Sequence, residues 1–358
     1  MPTMTLHIPP ELLRPLINHI DSDDRPTLLS LMKSSRSLRF EAERLLYRRI
    51  VSSDVQLQTS FLNCIILSPR LARLVEKYSL VNPRIIEDTT KESFFQLLSI
   101  GLQEMTNLKH LNFREYSGQP SAHILRNCVF QLESLDWGCH SESEIDVFLS
   151  GQKALRRLSI EWDAAKLSIP LTACPNLVSL SGGCRTIEAF MPGRQITSLH
   201  WIPELYGSTL VVDSIRNEFA RLINFSFGGY FRRPHLAIVA PYLKSLEILE
   251  LITLSVHFLH IPLRPQTDSI SLQQGDLDVV FSLKTLRTLI ISPQWGTRYL
   301  SLPIDGRQKI VENLFENNKA LQSVYISRQG ENSHIEHRYQ KWIRGAQGPT
   351  IVSHPGII

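Results

Sequence analysis

Large apolar residues recur along most of this chain in one short frame, L-x-x-L-x-Φ, where Φ is any large apolar residue. The frame reads Leu108-Leu111-Phe113, Leu132-Leu135-Trp137, Leu155-Leu158-Ile160, then Leu177-Leu180 with Gly182 in the last slot. It continues as Ile196-Leu199-Trp201, Leu222-Phe225-Phe227, Leu246-Leu249-Leu251, Leu286-Leu289-Ile291 and Leu321-Val324-Ile326, and Val75-Tyr78-Leu80 is a degenerate first copy. The third and fifth places are mostly small or polar: His110 and Asn112, Ser134 and Asp136, Arg157 and Ser159, Ser179 and Ser181. Alternation of this kind predicts a strand with the first, fourth and sixth places turned inward and the third and fifth facing solvent. Successive copies start 19 (Leu177 to Ile196) to 40 (Leu246 to Leu286) residues apart, so each strand has a return segment.

Two of those returns carry a helical period. Thr89 and Glu92 form a capping-box pattern, and Phe94, Phe95, Leu98, Leu102 and Met105 follow at three- and four-residue spacing, predicting a helix from Thr89 to Met105. Asp305 to Asn317 reads the same way, with Ile310, Val311, Leu314 and Phe315 on one face. Near the C-terminus, Ile335, Tyr339, Trp342 and Ile343 also fall on a helical stripe, which predicts a capping helix.

A period in the twenties carrying this phrase resembles the leucine-rich repeat. The lead-in Cys174-Pro175-Asn176-Leu177 is similar to that family's, and Asn107 and Asn318 stand in comparable polar lead-ins. The resemblance implies a solenoid, irregular here because the spacings vary. In such a fold each unit buries its apolar face on its neighbours, so length is not limited by a single core.

Residues 7–50 lack the phrase and predict two or three short helices. Leu12, Leu13, Leu16, Ile17 and Ile20 make the first stripe, and Leu28, Leu29, Leu31 and Met32 the second. In the third, Phe40 to Ile50, the apolar residues are Phe40, Leu45, Leu46 and Tyr47, and Arg39, Glu41, Glu43, Arg44 and Arg48 are charged. Ile8-Pro9-Pro10-Glu11-Leu12-Leu13 and Ser34-Ser35-Arg36-Ser37 resemble the two phrases of an F-box, and Arg44-Leu45-Leu46-Tyr47-Arg48-Arg49-Ile50 resembles the ending of many fungal F-box proteins. Leu38 stands where that family usually has Trp, and Pro15 predicts a kinked first helix or one that starts nearer Pro15. The fold expected is therefore an α/β repeat chain. It has an F-box-like helical domain over 1–52, an irregular leucine-rich-repeat solenoid over 53–330 and a capping segment over 331–358.

Composition narrows the function more by exclusion. The chain is 43% hydrophobic and 20% charged with a net charge of +4, which disfavours nucleic acid as the main partner. No run of apolar residues is long enough to span a membrane, and no secretory leader pattern opens the chain. The five cysteines (Cys64, Cys128, Cys139, Cys174 and Cys184) lack paired spacing, which reads as thiols of a reducing compartment, cytoplasmic or nuclear. No phosphate-binding glycine loop, nucleophile elbow or metal-ligand spacing occurs, so neither an enzyme nor a cofactor is expected.

The resemblance implies a substrate-receptor subunit of a cullin-type ubiquitin ligase. Ile8, Pro9, Leu12, Leu13, Leu16, Ile17, Ile20, Leu28 and Leu31 would then dock on the ligase's small adaptor protein. The alternative is an interaction scaffold whose N-terminal helices only cap the repeats. A cap would bury Ile8, Pro9, Leu12, Leu13 and Ile17 against the repeats, whereas an F-box leaves them partly exposed. A protein client is expected on the solvent-facing columns of the early repeats, at His110, Asp136, Arg157, Glu161 and Trp162. Trp162 and Trp295 follow strand ends, where an exposed aromatic can anchor a partner. Ile248, Ile290 and Tyr325 are apolar residues in solvent-facing places, either covered by the 252–280 insertion or open to a partner, with the insertion favoured.

Overall fold

In the computed structural model, residues 9–21, 24–83, 88–115, 121–139, 143–160, 168–202, 212–228, 236–253, 274–293, 304–328 and 338–353 are described. The chain is α/β and divides into two compact units, Met1–Leu155 and Arg156–Ile358. Among the described residues, thirteen strands follow one another in chain order, four in the first unit and nine in the second.

The first unit opens with helices α1 (Pro10–Asn18), α2 (Arg25–Ser34) and α3 (Arg36–Arg48). Then come β1 (Arg49–Val51), α4 (Val55–Leu67), α5 (Pro69–Ala72), β2 (Lys77–Val81), α6 (Asp88–Glu104), β3 (His110–Arg114), β4 (Ser134–Gly138) and α7 (Ser143–Ser150). Strands β1 to β4 pair in parallel, each with the next, so Ile50, Tyr78, Leu111 and Leu135 align on one face. Tyr78, Leu111, Phe113, Leu135 and Trp137 are buried there, and the Phe113 and Trp137 rings lie 5.0 Å apart. Helix α6 covers this face with Phe94, Phe95, Leu98 and Leu102, as its period predicts.

The second unit contains β5 (Arg157–Ile160), β6 (Ser179–Gly182), α8 (Cys184–Phe190), β7 (Ser198–Trp201), α9 (Arg216–Phe219), β8 (Asn224–Gly228) and β9 (Ile248–Thr253). It ends with α10 (Gln274–Ser282), β10 (Thr288–Pro293), α11 (Ile304–Asn317), β11 (Ser323–Arg328), β12 (Arg338–Ile343) and β13 (Thr350–Val352). Strands β5 to β11 are parallel neighbours in order, and each recurrence of the phrase in this unit supplies one of them. Leu158, Leu180, Leu199, Phe225, Leu249, Leu289 and Val324 are buried in one aligned inward row.

Gly182 replaces the last apolar residue of its phrase because α8 passes too close for a side chain. A Cβ there would meet the Thr186 side chain at 2.7 Å and the Ile160 carbonyl at 3.0 Å. The polar lead-ins also have structural work. Asn107 donates to the Arg73 carbonyl at 2.8 Å, and the buried Asn318 amide donates to the carbonyls of Val280 and Leu283. Each amide ties one return segment to the one before it. Arg194, buried among the returns, donates to the carbonyls of Ala173 and Pro170 at 2.9 Å and of Phe190 at 3.0 Å.

Three expectations change in the structure. Of the two readings of Pro15 the later start is ruled out, since helix α1 starts at Pro10 and runs through Pro15. Only the first-turn N–H groups of a helix lack intrahelical partners, so Pro15 does remove one bond, and the flanking turns still form. The segment from Arg338 to Ile343 is a strand, antiparallel to β11, and β13 pairs antiparallel with it. Tyr339, Trp342 and Ile343 satisfy a helical spacing, but Trp342 sits opposite Val324 on the buried side, as strand alternation requires; Ile335 lies outside the described residues. Finally, among the described residues Ile290 and Tyr325 are covered by Tyr339, with Ile248 and Val352 packed against them, so the C-terminal strands supply cover there. Residues 254–273 of the insertion lie outside the described residues.

Candidate functional site

The N-terminal helices form a small core of their own. Asp24 caps α2 by accepting from the Thr27 N–H, and Ser35 caps α3 by accepting from the Leu38 N–H. Ile17, Leu28, Ala42 and Leu45 are buried together, with Ile20, Leu31, Met32, Leu38 and Leu46 packed around them. Leu13 is also buried. Leu12 and Leu16 face the other way, 53% and 54% exposed, one turn apart on α1. Pro9 is exposed, and Ile8 lies outside the described residues. Of the residues expected to dock a partner, Pro9, Leu12 and Leu16 are therefore available. Leu13, Ile17 and Leu28 are buried and are not: Ile17 and Leu28 belong to the core of the three short helices, and the burial of Leu13 and Ile17 departs from the partial exposure that the F-box resemblance predicts. Ile20 and Leu31 are half-buried at its rim.

Helix α3 buries Ala42 and Leu45 but departs from the expected polarity around them. Phe40 is 49% exposed, while Glu41 and Glu43 are buried. Arg44 donates to Glu41 at 2.8 Å and Arg14 of α1 at 3.2 Å, and Arg70 of α5 donates to Glu43 at 2.6 Å. Burial alone would raise the Glu41 carboxyl, but the hydrogen bonds from Arg44 and Arg14 outweigh it and hold the group below the ordinary carboxylate range.

On the opposite side of the sheet from the core, the first unit presents His110, Asn112, Ser134 and Asp136, all half-buried. Asp136 accepts from Arg114 at 2.6 Å. The register continues this face to two residues that the repeat phrase did not single out. Arg49 stands beside Lys77, and Lys77 beside His110. Lys77 occupies the third place of the degenerate first copy, which was a readable signal. Arg49 was not readable, because β1 carries no copy of the phrase and its sequence continues the helical reading of Phe40 to Ile50.

In the second unit the equivalent face holds a polar network. Ser226 and Ser292 donate to the two oxygens of Glu250 at 2.7 and 2.5 Å, and Ser292 lies 3.0 Å from the Tyr339 hydroxyl. His200 Nδ1 is 3.3 Å from Ser181 Oγ, and burial pushes its imidazole down, with Glu250 opposing. Arg157 is exposed on β5 of this unit, whereas His110 and Asp136 belong to the first. Glu161, Trp162 and Trp295 lie outside the described residues; Trp137 and Trp201 are buried, as their inward places require.

No disulfide joins the cysteines. Burial pushes the Cys128 thiol up to about 12 and Cys174 to about 11, so neither is a thiolate near neutral pH. Among the described residues no helix is long and apolar enough to cross a membrane. No family model matches the sequence, and no curated protein matches it.

Proposed function

We propose that this chain is a substrate-receptor subunit of a cullin-type ubiquitin ligase, with an F-box-like N-terminus and a leucine-rich-repeat-like solenoid behind it. The observation that carries the reading is the division of labour within α1. Ile17 closes a core shared with α2 and α3 and Leu13 is buried, while their neighbours Leu12 and Leu16 stand in solvent. Two exposed leucines one turn apart are an anchor pair for a helix or groove on a partner. The F-box-like phrases Pro9–Leu13 and Ser34–Ser37 lie on these same helices and agree with it. A mere cap would direct that apolar surface at the strands. The fully buried cluster of these helices instead closes among residues 17–45.

The receptor performs no chemistry. It holds a client near a ubiquitin-charged enzyme, which raises the effective concentration of the client's lysines. Ordered rows of short polar side chains on parallel strands suit this role, because a rigid face loses little freedom on binding. The test is co-expression of the full chain with the small adaptor and the cullin. One complex containing all three on size exclusion is expected. Elution of the folded chain apart from the adaptor would contradict the proposal.

A further inference from the structure

We propose that the outward face of β1, β2 and β3 in the first unit docks an anionic peptide segment, carboxylate-rich or phosphorylated, held by Arg49, Lys77 and His110. The inference deepens the receptor reading by naming the chemistry of the client. Parallel strands lie about 4.8 Å apart, and residues paired across them point to the same face. The register sets Arg49 against Lys77 and Lys77 against His110, so three basic side chains stand in line across roughly 10 Å. Their neighbours Ile50, Tyr78 and Leu111 point to the core, which fixes the direction of the row. Arg49 is exposed, and Lys77 and His110 are partly so.

Charge distinguishes this row from an ordinary solvated face. Carboxylates of the unit are engaged elsewhere: Glu76 with Arg48, Glu133 with Lys109, Glu115 with Lys91, and Asp136 with Arg114. Among the described residues Arg49 and Lys77 have no ion-pair partner, although cations in adjacent cross-strand positions repel each other. An anion bridging them removes that repulsion. Val51, exposed beside Arg49, adds an apolar contact two residues along. Asn112 Oδ1, two residues along from His110, is buried without a hydrogen-bond partner among the described residues and can accept an N–H. A peptide brings carboxylates and N–H donors together, whereas a nucleic acid backbone brings phosphates alone. The net charge of +4 also gives a polyanion little general attraction.

The test is fluorescence anisotropy with the purified full chain and no adaptor. The probes are labelled peptides of alternating Glu and Ser, of alternating Gln and Ser, and of alternating phosphoserine and Gly, together with a single-stranded DNA oligonucleotide. The Glu or the phosphoserine peptide is expected to bind at least about tenfold more tightly than the Gln peptide, and the tighter of the two identifies the source of the anion. The paired substitutions Arg49→Glu with Lys77→Glu, and the neutral Arg49→Gln with Lys77→Gln, should each remove most of that binding. Lys319→Glu, exposed in the other unit, should leave it intact. Equal binding of the Gln peptide, unchanged binding by both paired variants, or tighter binding of the oligonucleotide would overturn the proposal. Peptide binding without assembly into the ligase contradicts the receptor reading alone; assembly without peptide binding contradicts the basic row alone.

Discussion

Adjacent residues in α3 take opposite positions, and charge pairing decides which. Phe40 is in solvent and Glu41 is buried, although hydropathy alone assigns them the other way. The sequence announces this only in part: Arg44 lies on α3 itself, but Arg14 lies 27 positions before Glu41, and Arg70 lies 27 after Glu43. Removing one partner of such a buried pair leaves an uncompensated charge. A pH dependence follows. Glu41 titrates lower in the folded chain than in the unfolded one, so its contribution is complete above the ordinary carboxylate range. It is lost as pH falls through the lowered value. Acid unfolding of the N-terminal helices, followed by the amide signals of α1 and α3, should therefore begin below about pH 4.5 and be less steep in Glu41→Gln. An identical acid limb in that variant would show that the arginines do not set it. The apolar stripe of α1 was legible from its spacing. Its allocation, Leu13 and Ile17 to the inside and Leu12 and Leu16 to solvent, was not, and for Ile17 it needed the packing of α2 and α3.

At the level of elements, the strands and the two long return helices were legible because each repeats a single physical constraint. Leu111, Leu135, Leu158 and Leu180 all occupy the fourth place of the phrase, and all are buried. Helices α6 and α11 start and stop within a residue or two of their periodic runs. The C-terminal segment misleads because Tyr339, Trp342 and Ile343 fit the helical period, whereas in the strand Tyr339 and Trp342 are buried on opposite faces. What decides for a strand is the open edge of β11, whose backbone groups need partners. The resulting pair of strands is pinned by Arg344, which donates to the carbonyls of Asn318 at 2.6 Å and of Leu321 and Phe315 at 2.8 Å. Tyr339 covers Ile290 and Tyr325, so Tyr339→Ala should lower the stability of the second unit by about 3 kcal/mol in urea unfolding. A loss under about 0.5 kcal/mol, the range of ordinary surface substitutions, would mean that the strand does not serve as the cover.

At the scale of the whole molecule, the chain sets a small helical group with its own core ahead of long runs of parallel strands, and it leaves two kinds of surface open. One is apolar, at Leu12 and Leu16; the other is basic, at Arg49 and Lys77. The receptor reading gives each a separate partner, adaptor and client. Little of this separation was legible in the sequence, since exposure depends on packing and the basic row exists only once the register is set. The most direct measurement is a calorimetric titration of the adaptor into the full chain and into Leu12→Asp with Leu16→Asp, with thermal unfolding of both followed in parallel. Both positions are solvent-exposed, so the variant should unfold at nearly the wild-type temperature. The account predicts that it loses at least about 2 kcal/mol of binding, roughly thirtyfold in affinity. Wild-type affinity in the folded variant would contradict it.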